Sequence, residues 1–323
     1  MDRWLRPDRR VTCLAAVLAV VGTLAACRRP EPEPATMQVR LVTSSTLSGR
    51  WERAAERGLG RIAVELGADI ARLRAEDGEA RRRVLAELGA DGADVVFCVG
   101  AGFEPLLYAE VEQHPDTRYV LLPGNAHGAN VSGMRFLTDG VGYMAGAVAA
   151  ALAGEGRVGI LRGPGGPWLE ELEAGFVDGV GSHGDRRSPV VVEGVDGAWR
   201  LLDEGVTAAL YAADVADDEV LAAAHDAGLT LIAADPGAMG RMPQVVAAAI
   251  DIDVADAMVR VAREVADGTF TSRVYAFDVG SGVLDVVLGQ DLPPERADAV
   301  RTALEIARSE VTAGYVEIEN LGM

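Results

Sequence analysis

The chain has 323 residues, with 49 acidic against 30 basic side chains and a formal net charge of −19 at pH 7. No lysine occurs, so all of the basic residues other than histidine are arginines. A surface this acidic, with only 5% aromatic residues, repels phosphate backbones and excludes nucleic acid as an expected partner.

Arg3, Arg6, Arg9 and Arg10 precede an apolar stretch from Val11 to Leu24, and Leu24-Ala25-Ala26-Cys27 follows. Basic, apolar and small residues in that order predict a lipoprotein signal peptide over residues 1–26, with Cys27 as the lipidated thiol and first mature residue. The apolar stretch is short of the roughly 20 residues that a bilayer core requires, so cleavage is expected in place of a retained span. Val11-Thr12-Cys13 matches twin-arginine export poorly, which favours the Sec route. Two acyl chains anchor stably, since each buried methylene contributes about 0.8 kcal/mol and one chain alone is marginal. Pro30, Pro32 and Pro34 alternate with glutamates, so residues 27–37 read as an extended tether. Cys13 leaves with the signal and Cys27 carries lipid. Cys98, in the apolar run Val95–Val99, is then the remaining thiol and is expected to be a small buried hydrophobe, with no intramolecular disulfide.

From residue 38 onward, apolar runs alternate with helical patterns. Strands are expected at Val39–Val42, Val95–Val99, Tyr119–Leu122, Val131–Phe136, Val158–Leu161, Val190–Val192, Ala208–Tyr211, Leu229–Ala233, near Val245–Ile250 and at Val274–Phe277. Trp51, Ala55, Leu59, Ile62 and Leu66 fall on one helix face, and further helices are expected at Glu219–Ala227, Val254–Ala266 and from Pro294 to about Thr312. Alternation of this kind implies parallel sheets, because a parallel neighbour requires a crossover and a helix is the usual one. About 290 residues after the signal suffice for two domains.

Ligands of open parallel sheets bind beyond the carboxyl ends of the strands, which directs attention to Thr43–Ser48, Gly100–Pro105, Arg162–Trp168, Ala212–Asp217 and Asp235–Met239. His114, His127, His183 and His225 fall outside all five loops, and no Gly-x-Ser-x-Gly elbow, metal-spaced histidine pair or Cys-x-x-Cys occurs, so no catalytic residue is assigned. Pro105 stands where a dinucleotide fingerprint has its third glycine, and no Lys-Ser or Lys-Thr follows Gly163–Pro167. The acidic clusters Asp251/Asp253/Asp256 and Asp214/Asp217/Asp218 read as helix caps, not metal sites. Neither a metal nor a cofactor is expected.

The run Asp94–Glu104 followed by His114-Pro115-Asp116-Thr117-Arg118-Tyr119 resembles the basic membrane protein family of transporter-linked binding lipoproteins. Three further stretches agree in order and spacing: Asn130–Gly133 leading to Tyr143–Gly146, Gly156–Gly159 leading to Glu173–Phe176, and Asp253–Ala255 before Asp267–Phe270. The resemblance covers nearly the whole mature chain. It implies an α/β type I periplasmic-binding-protein fold, in which two Rossmann-like lobes with parallel sheets are joined by a three-crossover hinge. The lobes are expected over 38–138 plus 240–274 and over 139–239 plus 275–323. Characterised members bind nucleosides, chiefly purine ones, for an ABC importer.

By that resemblance Trp51 stands in for a base-stacking aromatic, Phe103 for the aromatic of the second loop and Asp235 for an aspartate that accepts from ribose hydroxyls. With Glu52, Ala101, Gly102, Trp168 and Asp214 these form the expected ligand-binding set. The family's Asp-Lys-Ser-Phe-Asn pattern appears as Ser48-Gly49-Arg50-Trp51-Glu52, its Gly-Gly-Thr-Gly loop as Asp214–Asp217, and its ligand-binding lysine falls at or near Ile250. An ionised Glu52 accepts but cannot donate hydrogen bonds, which alters base recognition. The expectation is a monomeric, extracytoplasmic lipoprotein that binds a nucleoside-like solute, meets ABC permease subunits and touches the membrane through Cys27. The alternative is a sensing lipoprotein that reports to a receptor without transport.

Overall fold

The computed structural model describes residues 36–44, 49–110, 113–184, 188–292 and 294–314. The expected signal, Cys27, nearly all of the tether and Ser48 lie outside the described residues.

A first series comprises β1 (Gln38–Thr43), α1 (Gly49–Leu66), β2 (Asp69–Arg74), α2 (Gly78–Ala90), β3 (Val95–Val99), α3 (Glu104–Glu110), β4 (Arg118–Leu122) and β5 (Val131–Phe136). A second runs through α4 (Thr138–Ala153), β6 (Arg157–Arg162), α5 (Trp168–His183), β7 (Val190–Glu193), α6 (Gly197–Asp203), β8 (Val206–Ala212), α7 (Asp218–Asp226), β9 (Thr230–Ala233), α8 (Gly237–Arg241) and β10 (Val246–Ile252). The chain ends with α9 (Val254–Ala266), β11 (Val274–Phe277), β12 (Leu284–Leu288) and α10 (Ala297–Thr312).

The strands make two six-stranded sheets, ordered β11-β5-β4-β3-β1-β2 and β12-β10-β9-β8-β6-β7. All pairings in the first are parallel, and in the second only β12 is antiparallel, against β10. Both sheets reverse direction at equivalent places, between β1 and β3 and between β6 and β8. This is the doubly wound order repeated twice, a type I periplasmic-binding fold. Central strands such as β3, Val-Val-Phe-Cys-Val, are buried throughout because helices cover both sheet faces.

Every strand expected from the apolar runs forms. β2 and β12 escaped the reading, although the other two edge strands, β7 and β11, did not. In β2, Asp-Ile-Ala-Arg-Leu-Arg, no residue is fully buried and the apolar signal is diluted. The acidic clusters cap helices as expected: Asp253 accepts from the Asp256 amide at 2.9 Å and Asp217 from the Glu219 amide at 2.8 Å.

The lobe boundaries differ from the expected ones. Val246–Ile252 belongs to the second sheet, paired with β9 and β12, although 240–274 was assigned to the first lobe. The chain returns to the first lobe only with α9, which packs on α1, and β11 then extends the first sheet, so 275–277 also sit with the first lobe. Apolar periodicity identifies a strand but not the sheet that accepts it. The three crossings therefore fall between Phe136 and Thr138, Ile252 and Val254, and Phe277 and Leu284. Backbone bonds link them: Leu137 N donates to Phe277 O and Asp253 N to Val283 O, both at 2.8 Å.

In the second lobe α4 is buried almost end to end, packed against α5, α10 and the sheet. Close approach depends on glycine on both helices. A Cβ at Gly142 or Gly146 would strike the backbone at Leu172 or Phe176, and one at Gly175 or Gly179 the backbone at Asp139 or Tyr143. Two of the stretches that carried the family resemblance, around Gly146 and Gly175, thus belong to one helix–helix contact.

Candidate functional site

A cavity of about 720 Å³ lies between the lobes, where the switch points of the two sheets face each other. The first lobe contributes Trp51, Gly100, Ala101, Pro123, Gly124, Asn125, Arg135 and Phe136. Opposite stand Pro164–Trp168, Glu171, Asp214 and Val215.

Three rings, two from the first lobe and one from the second, supply its apolar lining. Trp51, from the first turn of α1, packs on Phe136 at the end of β5 with centroids 5.3 Å apart, and meets Trp168 edge-on at 6.1 Å. Phe136 in turn stacks on Phe277 at 5.7 Å. Trp51 lies on α1 because its apolar face must cover β1 and β3, and Trp168 opens α5, so edge-to-face packing joins the two lobes.

Polar groups are few. Trp168 Nε1 donates to Asp214 Oδ1 at 2.5 Å, which fixes the indole and occupies one carboxylate oxygen. At the rim Arg135 Nη2 pairs with Glu171 Oε1 across the cleft at 2.9 Å. Behind the rings, Arg50 donates to Ala234 O in the second lobe, and its guanidinium carbon lies 4.6 Å from the Trp168 centroid. Burial lowers the Arg50 pKa to about 10, against the opposing pull of Asp235, Asp214 and Asp251. The Asp251 carboxyl is raised, first by burial and then by Asp253.

Of the expected ligand set, Trp51, Ala101, Trp168 and Asp214 line the cavity. Phe103 does not: it is fully buried in the first lobe's outer core, with Arg81 over its ring at 5.3 Å. The helical turn at Ala101–Phe103 directs the ring inward, away from the cleft. Gly102 and Glu52 also lie off the lining, and Glu52 Oε1 is buried without a hydrogen-bond partner. Asp235 stands behind the wall, where Oδ1 accepts from Gly237 N at 3.0 Å, and Oδ2 from Ala216 N at 3.0 Å and Arg241 Nη2 at 3.1 Å. It organises the turn into α8 with the same oxygens that were expected to meet hydroxyls. Ile250 is fully buried in the core.

The sequence reading passed over Asn125, Arg135, Phe136 and Glu171. Asn125 follows β4, and Arg135 and Phe136 end β5, so the rule that selected the other loops covers them too. Glu171 lies one turn inside α5 and carries no such signal. Among the described residues, no group of His, Cys, Asp and Glu could hold a metal ion, and no helix is long and apolar enough to cross a membrane.

Comparisons with known proteins agree with this architecture. A solute-binding protein of an ABC transporter system from Conexibacter woesei superposes with a TM-score of 0.70 at 18% identity, over 88% of this chain and 99% of that one. One from Aeropyrum pernix gives 0.68 at 18% identity, over 87% and 92%. A transcriptional activator of the comK gene from Bacillus halodurans gives 0.72 at 24% identity, over 86% and 98%. These likenesses establish the fold. No curated protein sequence matches the chain. The family model described as ABC transporter substrate-binding protein, PnrA-like, matches residues 37–314. That family binds a solute for import and is not enzymatic, which places the chain's work outside the cytoplasm. The chain belongs to the Bmp family of PnrA-like ABC transporter substrate-binding proteins.

Proposed function

We propose that the cleft captures a nucleoside-like solute, a planar ring joined to a hydroxyl-bearing group, for delivery to an ABC permease, by a lipoprotein held at the membrane through Cys27. The observation that carries this reading is the cavity of about 720 Å³, lined by Trp51 and Phe136 from the first lobe and by Trp168 from the second, with the Asp214 carboxylate beside Trp168. A stacked base gains about 1–3 kcal/mol per aromatic contact. Hydroxyls or ring N–H groups suit the carboxylates of Asp214 and Glu171, since a hydrogen bond to a charged group contributes about 1.5–3 kcal/mol. The same carboxylates disfavour a phosphorylated ligand. Asp235 acts in this reading by positioning the Ala216 end of the Asp214 loop.

Isothermal titration with a panel of purine and pyrimidine nucleosides tests the proposal. Saturable heat with at least one nucleoside, lost in Asp214→Ala, is the expected result. Absence of heat across the panel, with solute-stripped protein that still melts cooperatively, rejects the ligand class.

A further inference from the structure

Among the described residues, Arg50 of the first lobe makes its hydrogen bond and its nearer ring contact in the second lobe. It sits on the first turn of α1 and is 9% exposed. Its guanidinium donates to the carbonyl of Ala234, beyond the end of β9, and covers the Trp168 ring at 4.6 Å, while the neighbouring Trp51 ring is farther away at 6.0 Å. The carboxylates that favour its charge are Asp235, Asp214 and Asp251, which follow β9, follow β8 and lie in β10; Arg53 opposes it. An indole face and a backbone carbonyl in an acidic surround suit a planar guanidinium cation.

We propose that the second lobe carries a socket for a planar guanidinium cation, built from the Trp168 ring and Ala234 O, and that Arg50 of the first lobe plugs it to hold the cleft shut without solute. The role is positional: Arg50 lies outside the cavity lining and sets the distance between the walls. A solute then meets a cleft whose closed form is already populated, so opening limits entry and the clasp slows escape. This inference concerns closure and is independent of the identity of the solute.

The test uses the full chain, refolded from denaturant to strip any solute, with spin labels on ketone-bearing residues introduced at Tyr108 and Glu219. Both are exposed and lie on α3 and α7, helices that follow opposite cavity walls. The wild-type chain should give one short, narrow separation by pulsed electron resonance. Arg50→Ala should shift the distribution to longer values. Arg50→Lys, which keeps charge but loses the planar face, should fall between. A local packing defect would lower the melting temperature without moving the labels. Wild-type chain already at the long separation overturns the proposal whatever the variants do. So does an unchanged distribution in a folded Arg50→Ala chain. No nucleoside is present, so failure here leaves the ligand reading standing, and failure of the titration leaves the clasp standing.

Discussion

Trp168 Nε1 and Asp214 Oδ1 are joined by a hydrogen bond of 2.5 Å at the cavity wall. The bond locks together the start of α5 and the loop after β8, so the apolar and polar parts of the second-lobe wall form one unit. Trp168→Phe keeps a ring but removes the donor. It should lower the free energy of unfolding by about 1.5–3 kcal/mol, the usual worth of a hydrogen bond to a charged group. Asp214→Asn retains an acceptor and should cost less. Urea denaturation of both variants checks the order.

Gly146 faces the backbone of Phe176 and Gly179, with no room for a methyl group. Gly146→Ala should destabilise the second lobe by about 1–3 kcal/mol through overpacking. Gly181 on α5 faces open space. Gly181→Ala should be neutral or stabilising by up to about 1 kcal/mol, since alanine restricts the unfolded chain. Calorimetric melting separates the two, and equal effects would contradict a tight helix crossing.

The Arg135–Glu171 pair bridges the lobes at 2.9 Å with side chains 37% and 40% exposed. Its coupling in a double-mutant cycle should not exceed about 1 kcal/mol at low ionic strength. At about 1 M salt, where the screening length is about 3 Å, the coupling should vanish. A large, salt-resistant coupling would mean that the rim pair governs closure.

Asp251 titrates above the usual carboxylate range in the folded chain, chiefly through burial. A raised folded pKa means that the native state holds the proton more tightly than the unfolded state, so the penalty grows as pH rises through the unfolded and then the folded value. Asp251→Asn should therefore gain stability at neutral pH relative to wild type, and lose that advantage below the ordinary carboxylate range. Unfolding free energies at pH 3 and pH 7 test the sign.

Cys98 is fully buried, and burial raises its pKa. Peptide mapping after iodoacetamide treatment at pH 8 should find it unmodified in the native chain and alkylated once the chain is unfolded.

Strand–helix alternation, the parallel sheets and the face of α1 were legible in the sequence because each follows from local periodicity and from the need to satisfy backbone groups. The places of Trp168, Ala101 and Asp214 on the cavity were reachable for a related reason, since a strand's carboxyl end can be counted along the chain, whereas Trp51 came from the family resemblance. Tertiary structure alone decided which sheet received Val246–Ile252, that Phe103 turned inward, that Asp235 spent its oxygens on Ala216, Gly237 and Arg241, and that Arg50 crossed to the other lobe. Each of these depends on partners far apart in sequence, and a residue's type does not state which distant donor, ring or strand will reach it first.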